Sequence, residues 1–239
     1  MAWSMKEQWE TVTDGSLLLG VAALVLDLVE GYYTAEGSLL DAKVSSKILD
    51  VTSIREGLSR GSLELYINAD WVEPQELDFR GAKISIKATD ASQGGLLPLR
   101  QLYEELPREL VRLDYFPLYS PLASRTDRDG TEYIIVYTAD GRAFVFEGER
   151  FRVSLPGLRQ SPAVVHTHPA GHCGLSRKDL ESGLDLMMDR GLIMGAVTSD
   201  RCAAIMYRLG LLEEDDVIGV KEGRIENLRS LRFTRISII

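Results

Sequence analysis

The three histidines of this chain all lie in one short stretch, HTHPAGHCGLSRKD, which runs from His166 to Asp179. Imidazole and carboxylate groups are common zinc ligands, and a serine beside a histidine can form a nucleophile and its base. Ser176 and Asp179 also have the S-x-x-D spacing of a helix capping box, which requires no function at all. A metal site, a nucleophile, a helix cap and an ordinary polar loop are therefore the four competing interpretations.

The spacing of the first two histidines favours the metal site. His166 and His168 are two residues apart at the end of the apolar segment SPAVVHTHP, so in a strand both imidazoles point to the same side. Pro169 then turns the chain away, and a helix starting at Ser176 brings Asp179 back to the same point. Two imidazoles and one carboxylate suit an open catalytic zinc site with water in the fourth position. We expect one zinc per chain, held by His166, His168 and Asp179.

The same stretch resembles the signature of a known family. It matches, without a gap, the HxHP, six residues, SxxD pattern of the JAMM (MPN+) zinc metalloproteases, at His166, His168, Pro169, Ser176 and Asp179. The resemblance covers roughly Leu96 to Leu212, where the predicted order of helix, hairpin, strand, motif and helix is also that of the family. It does not cover the first 95 residues. In that family the two histidines and the aspartate bind zinc.

The resemblance also implies two catalytic residues. Ser176 would help to stabilise an oxyanion by donating one hydrogen bond, although capping and catalysis would compete for its hydroxyl. A glutamate at the start of the first sheet strand would act as general acid and base, and Glu132 in TEYIIVY fits best. Glu147 and Glu149 are its rivals, because a hairpin turn at Asp140–Gly141 would place Glu149 opposite Glu132 and all three acids on one face.

The C-terminal part is predicted to be an α/β fold with a JAMM-like mixed sheet flanked by helices. Apolar residues recur every three or four positions over residues 96–113, which indicates an amphipathic helix that Pro107 should kink or restart. TEYIIVYTADGRAFVFEG predicts a hairpin, and a helix is expected from Ser176 to Arg190, ending at Gly191. LIMGAVTSD and CAAIMYRLG are predicted to be strands.

The N-terminal part has a different pattern. Short apolar or alternating segments, among them LLLGVAALVLDLV from Leu17 to Val29, alternate with turn formers as far as Asp90. Turn formers cluster again in DASQGGLLP, so the join is placed near Gly95. We therefore expect a β-rich domain of unknown role at 1–95 and a JAMM-like metalloprotease domain at 96–239.

Cys173 and Cys202 are too few for a disulfide framework or a four-cysteine zinc site. The sequence allows either two free thiols or a disulfide between them. The loop after the histidines should pass over the strand that contains Cys202, so we expect the two cysteines to approach within the roughly 7 Å between Cα atoms that a disulfide allows. His172 lies in the same loop and is interpreted as a loop residue and not as a ligand.

Charge and hydropathy argue against nucleic-acid binding, membrane insertion and export. The chain has 36 acidic and 27 basic residues and a formal charge of −9, which disfavours nucleic acid. The apolar run at Leu17–Val29 is shorter than the roughly 20 residues that a membrane helix needs, and Asp27 interrupts it. The first residues lack the pattern of an export signal, so the cytoplasm is the expected location.

The resemblance implies a zinc-dependent metalloprotease or isopeptidase. Its substrates would be conjugates of ubiquitin-like modifiers on lysine, or peptides. Two alternatives remain. One is a non-catalytic MPN-type module that recruits partners, and the other is the RadC-type branch, whose HNHPSG motif shares the spacing and which is associated with DNA repair. The acidic composition disfavours the RadC-type alternative.

Overall fold

The computed structural model describes residues 8–36, 42–68, 73–90, 95–148 and 161–239. The helices are α1 (Asp14–Glu36), α2 (Val51–Ser59), α3 (Leu99–Asp114), α4 (Ser120–Asp129), α5 (Arg177–Met188) and α6 (Glu214–Lys221). The strands are β1 (Gln8–Thr11), β2 (Lys43–Ser45), β3 (Ser62–Asn68), β4 (Gln75–Phe79), β5 (Ala82–Ala88), β6 (Leu96–Pro98), β7 (Tyr133–Tyr137), β8 (Ala143–Glu147), β9 (Ala163–Thr167), β10 (Ile193–Val197), β11 (Cys202–Arg208) and β12 (Leu231–Ser237). Both strands and helices are present throughout, so the chain is a mixed α/β protein.

The larger sheet has seven strands in the order β1-β8-β7-β9-β10-β11-β12. Strands β9 and β10 are parallel and the other neighbours are antiparallel, so the sheet is mixed. The parallel pair needs a crossover, and α5 lies within it. Strand β9, which carries His166, therefore lies at the centre of the sheet with a neighbour on each side.

The smaller sheet has five strands in the order β4-β5-β3-β2-β6, with β3 and β5 parallel. Four of its strands come from the region expected to be β-rich, and β6 follows the expected join at Gly95. Strand β1 pairs instead with β8 of the larger sheet. One hydrophobic core contains buried residues from both sides of residue 95, so packing is continuous across that position in the described residues.

The apolar run from Leu17 to Val29 forms most of helix α1, although we expected it among strand-like segments. A continuous apolar run does not distinguish a buried strand from a buried helix, because the periodicity is lost when every side is covered. Leu18, Val25 and Val29 are fully buried. The buried carboxylate of Asp114 accepts a hydrogen bond from the Gly15 amide at the start of the helix, over 3.0 Å.

The amphipathic pattern at residues 96–113 produces strand β6 and then helix α3, which continues through Pro107 without restarting. One π-helical turn at Tyr115–Tyr119 joins α3 to α4. The sequence pattern did not predict α4, which ends at Gly130 in the left-handed conformation (φ 73°). This end of α4 leads directly into β7 and therefore determines where Glu132 lies.

The predicted hairpin forms, but its register was wrong by one residue. Thr138 and Arg142 close a three-residue loop at residues 139–141, with the Thr138 amide donating to the Arg142 carbonyl oxygen over 3.0 Å, instead of a two-residue turn. Tyr133 consequently lies opposite Glu147, and the backbone carbonyl oxygen of Glu132 accepts a hydrogen bond from the Gly148 amide. Phe144 shares a face with Val136 and not with Tyr133. Glu149 lies outside the described residues.

The remaining elements agree with the sequence patterns. The segment before the motif forms β9, the helix after it forms α5, and two further strands follow as β10 and β11. Arg190, with a positive φ of 68°, ends the turn after α5 just before Gly191. In the part of the chain that the structure describes, no helix is both long enough and apolar enough to span a membrane.

Candidate metal centre

His166 and His168 converge at the end of β9. His166 is the fourth residue of that strand, paired with Ile134 of β7 and Ala196 of β10, and it is buried. His168 follows the strand, and its amide donates to the carbonyl oxygen of Val197 over 2.8 Å. The two Nε2 atoms are 2.9 Å apart. The alternation of a strand therefore directs both imidazoles to one point, as the spacing predicted.

Asp179 reaches the same point from helix α5. The helix has a complete capping box, in which the Ser176 hydroxyl oxygen accepts from the Asp179 amide over 3.2 Å and Asp179 Oδ2 accepts from the Ser176 amide over 2.7 Å. Asp179 Oδ1 is 3.4 Å from His166 Nε2, and Asp179 Oδ2 is 3.9 Å from His168 Nε2. The capping box thus fixes the aspartate that the histidines face.

These three side chains have a donor set that can hold a metal ion. A tetrahedral zinc with bonds of about 2.0–2.2 Å separates its ligand atoms by about 3.3–3.6 Å. The two Nε2 atoms are 2.9 Å apart, and the contacts of Asp179 Oδ1 with His166 and of Asp179 Oδ2 with His168 are 3.4 and 3.9 Å, so the separations lie on both sides of that range. Within the described ranges, His166, His168 and Asp179 form the one group of at least three histidine, cysteine or acidic side chains whose ligand atoms converge in this way. The residues present therefore fit the metal.

The pKa shifts of His168 and Asp179 suit metal binding. Burial and the neighbouring His166 lower the pKa of His168, against the opposing effects of the His172 carbonyl and of the charges on Glu132 and Asp179. Burial acts to raise the pKa of Asp179, but its hydrogen bonds and the charge of His166 outweigh burial and hold it well below the ordinary value. A neutral imidazole and an ionised carboxylate are the forms that bind cations.

His172 contributes its backbone, which the sequence pattern did not reveal. His168 Nδ1 is 3.1 Å from the carbonyl oxygen of His172. Because a carbonyl only accepts, Nδ1 carries the proton, and the lone pair of a neutral His168 is then on Nε2, which faces the centre. Such a contact orients a metal-binding histidine and fixes its tautomer. The His172 ring is exposed and outside the ligand group.

The loop between His168 and Ser176 is attached to the protein at three further points. The amides of Ala170 and Gly171 donate to the carboxylates of Asp127 and Asp200, over 2.7 and 3.0 Å. Cys173 forms a disulfide with Cys202 of β11, with a Cα separation of 5.9 Å, so the expected approach of the cysteines is confirmed.

Asp127 and Asp200 were not identified as contributors to the site from the sequence. Asp127 lies in α4 and Asp200 in the loop after β10, and no motif connects either of them to the histidines. Only the fold brings these carboxylates to the motif loop.

Ser176 lies beside the group, with its side chain exposed. Its hydroxyl oxygen acts as the acceptor in the capping box, which uses a lone pair and not the hydroxyl hydrogen. The Ser176 side chain also hydrogen-bonds the Asp179 carboxylate, so the hydroxyl hydrogen has an acceptor next to the capping box. Donation to a group that enters the site would replace this contact, so capping and donation compete for the hydroxyl.

Glu132 lies at the start of β7 and is half-buried. Ile134 is paired with His166, and continuing this antiparallel register by two residues places Glu132 opposite His168. Its negative charge also acts on His168. Glu147 lies opposite Tyr133, one position out of step with Glu132. The described acid that shares the histidine side of this strand end is therefore Glu132.

Comparison of the chain with family models, with curated proteins and with solved structures gives no match.

Proposed function

We propose that this protein is a zinc-dependent metallopeptidase of the JAMM type, acting on isopeptide or peptide bonds. The observation that supports this most is the convergence of His166, His168 and Asp179, with their ligand atoms within 4.8 Å of one another. Glu132 and Ser176 would supply a proton carrier and a hydrogen-bond donor to the same group. One zinc per chain is the cofactor that this donor set suits best.

Bound zinc would polarise the scissile carbonyl and lower the pKa of a water molecule to about 7. Glu132 would accept a proton from the attacking water, because continuation of the register between β7 and β9 places residue 132 opposite His168. Ser176 would donate its hydroxyl hydrogen to the carbonyl oxygen as negative charge develops there. The buried His166 and the half-buried His168 and Asp179 would hold the ion.

The leaving group explains why one acid must act twice. We propose that the natural substrate is a conjugate of a ubiquitin-like modifier on lysine, whose ε-amine has a reference pKa of about 10.4. Such an amine is a poor leaving group unless it is protonated as the bond breaks. Glu132, having taken the proton from water, would pass it to this nitrogen. A simple peptide would require the same transfer.

We also propose that residues 96–239 form the metalloprotease domain and that residues 1–95 form a β-rich domain of unknown role. The protein would act in the cytoplasm and without a nucleic-acid partner. In a reducing compartment the disulfide between Cys173 and Cys202 would have to be protected from exchange. Both cysteines are half-buried, which supports such protection.

The test is a cleavage assay on a lysine-linked modifier conjugate and on an unstructured peptide. We expect turnover by the parent, loss of turnover with a chelator, and recovery when zinc is restored. Asp179→Ala should be inactive, while Asp185→Ala, which removes an exposed aspartate from the same helix, should match the parent. A zinc-loaded parent that cleaves neither substrate would contradict the peptidase and favour a module that recruits partners.

A further inference from the structure

Two buried threonines surround the backbone of Glu132. Thr126 lies in α4, and Thr167 is the last residue of β9, between the two histidines. Their side chains are 1% and 0% exposed, and their hydroxyl oxygens are 2.6 Å apart. Because burial of an unpaired polar group is unfavourable, both buried hydroxyls should have hydrogen-bond partners within the protein.

The hydroxyls form a directed chain of hydrogen bonds. The amide of Tyr133 donates to Thr167 Oγ1 over 2.8 Å. Thr126 Oγ1 lies 2.8 Å from the Thr131 carbonyl oxygen and 3.3 Å from that of Leu122, so the shorter contact receives its hydrogen. Because a hydroxyl has one hydrogen, Thr167 must then donate to Thr126. The chain runs from the Tyr133 amide through both hydroxyls to the Thr131 carbonyl.

This chain fixes both peptide units that flank Glu132. The unit before it is held at its carbonyl by Thr126. The unit after it is held at its amide by Thr167, and at its carbonyl by the Gly148 amide over 2.8 Å. With both units held, the backbone dihedrals of Glu132 have little freedom. Thr167 is also the residue between His166 and His168, so the same hydroxyl links the acid to the ligand strand.

We propose that Thr126 and Thr167 are positioning residues, whose hydroxyls fix the backbone on both sides of Glu132 and so hold its carboxylate beside the histidines. This inference rests on the proposed function, because it assigns a purpose to the position of Glu132. Neither threonine contacts the substrate in this proposal. A misplacement of about 1 Å in a reacting group can cost on the order of 100-fold in rate.

The test compares Thr167→Val and Thr126→Val with Thr167→Ser and Thr126→Ser in the zinc-loaded full chain. The valine variants should lose about 10- to 100-fold in kcat with KM little changed. The serine variants, which keep the hydroxyl, should recover most of that loss. Thr138→Val is the matched control: its hydroxyl bonds within the loop at the opposite end of β7, and kcat should stay at the parent value.

A second readout does not depend on activity. The Tyr133 amide should exchange with deuterium roughly 2- to 10-fold faster in Thr167→Val, the factor expected for one lost hydrogen bond. Zinc content should stay at one per chain in every threonine variant. If Thr167→Val fails to fold, Thr126→Val and the two serine variants still decide the question.

Several results would overturn the inference: unchanged kcat in both valine variants, no rescue by serine, or unchanged exchange at Tyr133. A parent that cleaves nothing would overturn the proposed function instead. In that case the exchange rates alone decide whether the two hydroxyls hold residue 132.

Discussion

Two clusters of polar side chains in this protein differ in whether their charged groups find partners within the protein. In the first, Glu30 and Arg208 are a buried ion pair, with side chains 1% and 3% exposed, and the Tyr103 hydroxyl donates to the same carboxylate. The second contact of the pair, from Arg208 Nη2 to Glu30 Oε2, is 3.1 Å. The guanidinium also donates to the backbone carbonyl oxygens of Arg190, Gly191 and Gly210. Every charge in this cluster has a protein partner.

In the second cluster, His166, His168 and Asp179 face one another mainly with hydrogen-bond acceptor atoms. The proton of a neutral His168 is on Nδ1, so the only proton that can lie between the three ligand atoms is one on His166 Nε2. A cation at their centre would satisfy all three. The difference shows how a structural ion pair is distinguished from a candidate metal centre, since the first contains a permanently charged guanidinium and we propose that the second binds a cation.

The comparison predicts that changes around the metal centre affect chemistry more than stability. Glu132→Gln keeps the shape of the side chain but cannot accept a proton, so kcat should fall by about 10²- to 10⁴-fold while bound zinc and the urea midpoint stay near the parent values. Steady-state kinetics and metal analysis measure both. Glu147→Gln should be almost silent, as should Glu149→Gln. If Glu147→Gln abolishes turnover and Glu132→Gln does not, the acid has been misassigned.

The opposite pattern is expected in the first cluster. Arg208→Leu leaves the buried carboxylate of Glu30 without its counter-charge and should lower the free energy of unfolding by about 3–5 kcal/mol. Zinc content and kcat of the folded fraction should be unchanged. Urea denaturation measures the loss, and Arg60→Ala, which breaks an exposed pair with Glu56, should have no measurable effect. An Arg208→Leu protein as stable as the parent would contradict the distinction between the clusters.

Loss of the disulfide should affect both the stability of the protein and its affinity for zinc. Cys173 and Cys202 are 29 residues apart in the sequence, and replacing both by serine should reduce the free energy of unfolding by about 3 kcal/mol. It should also weaken zinc binding, because Cys173 follows the residue whose carbonyl orients His168. A chelator competition titration measures the affinity. His172→Ala keeps that carbonyl and should leave the affinity almost unchanged, whereas a large loss there would assign the role to the ring.

The convergence of His166, His168 and Asp179 was predictable because it depends on local sequence. Two histidines two residues apart at a strand end, and an acid at the third position of a capped helix, converge once β9 and α5 form. The supports of the centre were not predictable, since Asp127 and Thr126 lie about 40 residues upstream of their partners. Only the fold brings α4 beside β9.

Two predictions about the fold were wrong for physical reasons. The hairpin register was missed because Asp140–Gly141 lies inside a longer loop, where Gly141 packs against Phe79 and adopts a positive φ of 77°. A single residue of additional loop shifts every pairing along β7 and β8. The Leu17–Val29 run was misinterpreted because complete burial removes the alternation that separates strands from helices.

The most direct test of this account is the zinc content of the purified full chain, measured by elemental mass spectrometry after zinc loading and removal of free metal. We predict one zinc per chain in the parent and in Asp185→Ala, and none in His166→Ala or Asp179→Ala. Stoichiometric zinc in both ligand variants, or no zinc in a folded parent, would contradict it.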